Sequence, residues 1–142
     1  MRAAIAAARS QHELRFRTHW HFDDSLPPAR ANRIHVQKVL LNLLNNCIEA
    51  MEEAGIEKPS VFVRAERMDG NFVRLTIRDN GPGFKRKDIG RLFEPFFTTK
   101  AKGIGMGLAI SRSLVEANGG QLWLDPMEDS GGTFHLTLPC MP

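Results

Sequence analysis

Apolar positions along this chain switch between a period of two and a period near 3.6, and each switch marks an element. Leu14, Phe16, Thr18, Trp20 and Phe22 fall on alternate residues and predict a half-buried strand. Asp23, Asp24, Pro27 and Pro28 stop it. Over residues 32–54 the period becomes helical, with Asn32 as the N-cap. At about 100° per residue, Val36, Leu40, Leu43, Leu44, Cys47 and Met51 share one apolar arc, which Leu41 and Ile48 widen. A stripe that broad predicts a largely buried helix. The remaining arc carries Lys38, Asn42, Asn45, Asn46, Glu49 and Glu53.

Residues 55–59 end the helix, and 60–68 and 71–79 then read as antiparallel strands around Asp69-Gly70, a strong hairpin signal. Residues 105–118 are helical again, with Leu108, Ile110, Leu114, Val115 and Ala117 as buried candidates. Gly119-Gly120 supplies the left-handed stop. Residues 121–125 and 133–138 close the chain as a last pair of strands. About five strands and two main helices, each apolar on one side, predict a sheet covered on one face by helices. The alanine-rich residues 1–9 read as a linker or helix end, so the domain is expected over 10–142.

Composition narrows the function only a little. The 142 residues are 42% hydrophobic and 25% charged, as in one globular domain. Lys and Arg number 19 against 16 acidic residues, a formal charge of +3 that is too small to argue for nucleic acid, and no aromatic–basic platform supports it. Cys47 and Cys140 lack metal-ligand spacing and read as free thiols in a reducing, cytoplasmic compartment. No apolar run approaches the roughly 20 residues of a membrane span. A longer parent protein with an anchor elsewhere fits this reading.

The candidate chemistry starts where Thr98, Thr99, Lys100 and Lys102 run into Gly103, Gly105 and Gly107 and then into a helix. Alternating glycines present backbone N–H groups, and a helix N-terminus adds partial positive charge, which suits a phosphate. Glycines before a helix also serve as plain tight turns. The spacing is neither that of a P-loop nor that of a Rossmann turn. Asn42 and Asn46 lie one helical turn apart, and an amide oxygen is a hard neutral ligand suited to Mg²⁺. Such asparagines also merely solvate helices, although three so close together oppose helix propensity. Asp79 ends a strand at Asp79-Asn80-Gly81-Pro82-Gly83, where a carboxylate accepts from an exocyclic amine and bare backbone admits a ring. The same dipeptides make ordinary turns.

Order and spacing together are far more specific. Asn42-Leu43-Leu44-Asn45-Asn46-Cys47-Ile48-Glu49-Ala50 resembles the N box of two-component sensor histidine kinases, members of the GHKL ATPase superfamily. Asp79-Asn80-Gly81-Pro82-Gly83-Phe84 resembles their G1 box, and Leu92-Phe93-Glu94-Pro95-Phe96-Phe97-Thr98-Thr99-Lys100 the F box of the nitrogen-regulatory type. Gly103-Ile104-Gly105-Met106-Gly107-Leu108-Ala109-Ile110 is similar to the G2 box. Glu116-Ala117-Asn118-Gly119-Gly120 and Gly131-Gly132-Thr133-Phe134 are similar to the closing segments, so the resemblance runs over roughly residues 10–139.

The resemblance implies a Bergerat α/β sandwich that binds ATP and Mg²⁺ and passes the γ-phosphoryl group to a histidine. By carry-over, Asn46 holds the metal and Asn42 assists at the phosphates, with Glu49 on the same helix side. Asp79 grips the adenine amine, while Gly81, Gly83 and Phe84 shape the base pocket. Lys100 and Lys102 reach the phosphates. The stretch from Thr98 and Thr99 through Gly103, Ile104, Gly105, Met106, Gly107 and Leu108 forms a lid, and Thr133 reaches the adenine end through a water. ATP-hydrolysing relatives carry a glutamate at the position of Asn42, and an amide cannot activate water, which favours phosphotransfer. Other readings are an ATP-sensing module without transfer and a GHKL serine kinase.

His12-Glu13-Leu14 mimics the phosphoacceptor motif of these kinases but sits on an alternating segment close to the N box. The implied partners are therefore a separate dimerisation and phosphoacceptor domain and, beyond it, a response regulator. His19 and His21 share a strand face without a third ligand and read as solvent-facing; His35 and His135 support nothing specific. Trp20 and Trp123 read as core or sheet-face residues.

Overall fold

The computed structural model describes residues 16–23, 25–84, 88, 90–95, 107–125 and 132–141. Strand β1 (Arg17–Phe22) leads to helix α1 (Arg33–Ala54), then β2 (Ser60–Met68) and β3 (Phe72–Asp79). Helix α2 (Gly107–Ala117), β4 (Gln121–Leu124) and β5 (Thr133–Pro139) follow. The strands make one mixed sheet in the order β1-β2-β3-β5-β4, in which only β1 and β2 run parallel.

Alternation along the inner strands builds one side of the core. Val61, Val63, Ala65, Val73, Ile77, Phe134, Leu136 and Leu138 are buried on the face that the helices cover. From α1 come Val39, Leu40, Leu43, Leu44, Cys47, Ile48 and Met51. Helix α1 lies against β3, and α2 against β4 and β5.

The asparagines at the helix ends fix how the helices pair. Asn32 caps α1 by accepting from the His35 N–H at 3.1 Å. Asn118, just past α2, accepts from the Asn32 N–H at 2.7 Å and donates to the Leu114 carbonyl at 2.7 Å. The end of α2 therefore sits at the start of α1, and the two run antiparallel. Gly120 is required because a Cβ there would collide with the Thr137 carbonyl oxygen.

Three expectations change in the structure. Strand β1 is an edge strand outside the helical cover, so Trp20 and Phe22 stay 37% and 39% exposed, and only Thr18 is half-buried. Asn71 belongs to the turn and not to β3: it takes φ 63° next to Gly70 at 78°, a left-handed pair that asparagine and glycine tolerate. On α2 the inward residues are Ser111 and Val115, whereas Ile110 is 50% exposed and Ala117 faces solvent.

Candidate functional site

Antiparallel pairing stops halfway along α1, because α2 begins opposite Asn42. The Asn42 amide nitrogen donates to Ser111 Oγ at 2.9 Å. A Cβ on Gly107 would stand 2.7 Å from Asn42 Oδ1, so glycine lets the first residue of α2 approach that amide without turning it away from Ser111. Beyond this contact the second half of α1 is uncovered by α2, and it runs past the end of β3. From Asn42 to Met51 the helix rises about 13 Å. That span separates the α2 N-terminus, whose first N–H groups have no partner within the helix, from Asp79 at the other end.

Asn46 lies between these ends and is half-buried. Its amide nitrogen donates back to the Asn42 carbonyl at 2.9 Å, which leaves Oδ1 as the outward donor atom. A fixed, neutral oxygen fits Mg²⁺, which takes few protein ligands and shares the rest with water and phosphate. Glu49, a turn farther on, is also half-buried. Among the described residues no cluster of three His, Cys, Asp or Glu side chains is placed to hold a metal by itself.

Asp79 closes the other end. It is 3% exposed, and its Oδ1 accepts from the Gly81 N–H at 2.8 Å and the Gly132 N–H at 3.2 Å. Burial pushes its carboxyl above the ordinary carboxylate range; the two backbone N–H groups and a hydrogen bond from the Cys47 thiol oppose that rise. Bare backbone surrounds the carboxylate. A Cβ on Gly132 would meet Oδ2 at 2.7 Å, and one on Gly81 would meet Oδ1 at 2.9 Å and Met51 Cγ at 3.4 Å. Gly83 takes φ 74°, and the half-buried Phe84 packs edge-on against Phe134 with centroids 5.8 Å apart. Asn80 holds the turn from behind, accepting from the Ser60 N–H at 2.9 Å and donating to the Lys58 carbonyl at 2.7 Å.

The structure thus places Asn42, Asn46 and Glu49 on the half of α1 from Asn42 onward, brings Gly107 against Asn42 and Gly81 against Asp79, and sets Phe84 next to Gly132 beside that carboxylate. Gly83 lies in the same turn, and the half-buried Leu108 follows Gly107. Thr98, Thr99, Lys100, Lys102, Gly103, Ile104, Gly105 and Met106 lie outside the described residues, as does His12. Thr133 is placed differently from the expectation. It pairs with Arg78, so alternation turns its side chain to the sheet face away from α1, and Gly132 stands beside Asp79 instead. Sequence reasoning missed Gly132, Cys47, Met51 and Ser111. A buried serine amid the apolar residues of α2 was the one available signal, since its hydroxyl needs a partner such as Asn42.

The profile of the histidine kinase-, DNA gyrase B- and HSP90-like ATPases matches residues 31–142. The chain is 38% identical over 136 residues to the sensor protein FixL of Bradyrhizobium diazoefficiens, covering 95% of this chain and 26% of that protein. It superposes on the catalytic domain of histidine kinase ThkA with a TM-score of 0.82 at 28% identity, covering 98% of this chain and 89% of that one. It also matches full-length ShkA in complex with AMPPNP, with a TM-score of 0.80 at 28% identity over 98% of this chain and 28% of that one. The chain therefore spans about a quarter of the length of FixL and ShkA. The five-stranded mixed sheet, the helix pair and the Asn–Asp–Gly site belong to a chain that is a member of the histidine kinase-, DNA gyrase B- and HSP90-like ATPase family, homologous to the catalytic domains of sensor histidine kinases.

Proposed function

We propose that this domain binds Mg-ATP along the open half of α1 and donates the γ-phosphoryl group to a histidine on a separate dimerisation and phosphoacceptor domain. A response regulator then receives the signal. The observation that carries the reading is Asp79: a buried carboxylate held by two backbone N–H groups and walled by glycines, at the far end of a helix face from the α2 N-terminus. Such a carboxylate recognises an exocyclic amine, and the α2 end favours phosphate. Asn46 would hold the metal through Oδ1, and Mg²⁺ would neutralise charge on the phosphates.

In the transfer the imidazole nitrogen attacks the γ-phosphorus, the bond to the β–γ bridging oxygen breaks, and ADP departs. The protein's part is position and charge. Asn42 supports transfer over hydrolysis, because its amide already donates to Ser111 and offers no base to a water. Lys100 and Lys102 are assigned to the phosphates, and the 98–108 stretch to a lid, on the resemblance alone.

The test supplies labelled ATP and a histidine-bearing dimerisation domain in trans. Acid-labile label on that domain is the expected result. ATP binding without transfer to compatible acceptor domains would leave a nucleotide-sensing module. Calorimetry separates the parts: Asp79→Asn is expected to abolish nucleotide binding, and Asn46→Ala to remove the gain in affinity that Mg²⁺ gives. Unchanged binding in Asp79→Asn would sink the adenine assignment.

A further inference from the structure

The helices cover one face of the sheet, and the other face carries an order of its own. Strand register aligns its side chains in cross-strand rows. His19, Phe62, Arg78 and Thr133 form one row; His21, Arg64, Thr76, His135 and Trp123 form the next. In the first, His19 stacks on Phe62 with centroids 4.8 Å apart, and the Arg78 guanidinium lies 5.0 Å from the same ring. These neighbours come from β1 and β3, on opposite sides of β2, so both ring faces of Phe62 are taken. In the second, His135 Nδ1 is 2.9 Å from Thr76 Oγ1, its Nε2 is 3.0 Å from Asp125 Oδ2, and Trp123 stacks on it at 5.4 Å.

A groove of about 550 Å³ runs over these rows and includes Arg64, Arg78 and Asp125 in its lining. Its charges are unequal. Asp125 Oδ2 is hydrogen-bonded to His135 Nε2, and at the neighbouring position of β2 Glu66 is matched by Arg74 at 2.6 Å and Arg64 at 3.5 Å. Arg78 is exposed and has no carboxylate partner among the described residues. Of the two guanidinium groups in the lining, Arg64 also reaches Glu66 beside the groove and Arg78 meets no described carboxylate. Asp125 is the one carboxylate among the lining residues, over a floor of aromatic and aliphatic surface.

We infer that this open sheet face docks an acidic protein segment, whose carboxylates pair with Arg64 and Arg78 while an aliphatic side chain lies along the Phe62 edge. The surface is separate from the nucleotide site, since Asp79 and α1 occupy the opposite face. A nucleic acid fits it less well, because single strands bind by stacking bases on bare ring faces, and His19 and Arg78 already flank Phe62. A small molecule would remain largely uncovered in a groove laid across several strands of an open sheet.

The test titrates the ¹⁵N-labelled 142-residue chain with a synthetic glutamate- and leucine-containing peptide, and in parallel with oligothymidylate. Saturable, salt-sensitive amide shifts over β1, β2, β3 and β5 are expected, with binding at least about tenfold weaker in the double variant Arg64→Glu/Arg78→Glu. Mg-ATP binding by that variant should match the parent's. Arg78→Gln, which removes charge without reversing it, supplies the comparison if charge reversal disturbs folding. Absence of peptide shifts on this face, shifts gathered around Asp79, indifference to both variants, or tighter binding of oligothymidylate than peptide would each overturn the proposal.

Discussion

At the residue scale, Asp79 combines its proposed role in recognising the base with a stability penalty. Burial raises its carboxyl pKa, so the folded state holds a proton that the unfolded state has already released. Between the ordinary carboxylate pKa of about 4 and the raised value, stability therefore falls as pH rises. An asparagine side chain in its place would carry no such charge and still accept from Gly81 and Gly132 through its oxygen. Asp79→Asn is expected to unfold at a higher temperature than the parent at pH 8 and at the same temperature near pH 3, while binding no nucleotide. Thermal unfolding across that pH range checks it, and a lower melting temperature at pH 8 would contradict it. Cys47 acts on the same carboxylate through its thiol. Cys47→Ala should weaken Mg-ATP binding by about threefold to tenfold, the worth of one hydrogen bond, and Cys47→Ser should restore it. Equal affinity in all three by calorimetry would remove Cys47 from the site.

At the scale of elements, the contact between α1 and α2 sets where the site opens. Gly107 and Ser111 let α2 start directly against Asn42. Gly107→Ala places a methyl 2.7 Å from Asn42 Oδ1, so either that amide turns away from Ser111 or the start of α2 shifts. A loss of about 1–3 kcal/mol in denaturant unfolding is expected, together with loss of ATP affinity; full stability with full affinity would show that the approach is not needed. The same contact explains what the sequence could and could not reveal. The breadth of the apolar arc on α1 was legible, because one periodic pattern decides which side is buried. The facing of α2 was not, because Ser111 turns inward only to meet Asn42, an element away, and Ile110 turns outward as a result. β1 reads as an alternating strand, yet alternation carries no information about its edge position, and so Trp20 and Phe22 remain exposed. Asn46 and Asp79 are singled out in the sequence by their motif company, and the structure places one on the second half of α1 and the other at the end of β3. Gly132 displaced Thr133 because one position of strand phase decides which residue faces Asp79.

At the scale of the whole molecule, the proposed ligand joins the Asp79 end of the site, where β3 and the β5 entry at Gly132 are already hydrogen-bonded, to the start of α2 about half a helix away along α1. A ligand that needs both ends binds the folded state and not the unfolded chain, so it must stabilise the domain by mass action. At a hundredfold excess over its dissociation constant that amounts to about 2.7 kcal/mol. For a domain of this size each kcal/mol shifts the midpoint by about 3–5 °C, so Mg-ATP should raise the melting temperature by roughly 10 °C. Asp79→Asn should show no such shift despite its higher starting stability, and Asn46→Ala should lose the part that depends on Mg²⁺. Differential scanning calorimetry at several nucleotide concentrations reads all of this in one series. A shift of equal size in Asp79→Asn would move nucleotide binding elsewhere on the molecule. A shift in the parent that is indifferent to Mg²⁺ would instead leave the base end intact and dissolve the metal role of Asn46. The same series in Arg64→Glu/Arg78→Glu should reproduce the parent, since these side chains leave β2 and β3 on the face opposite to Asp79.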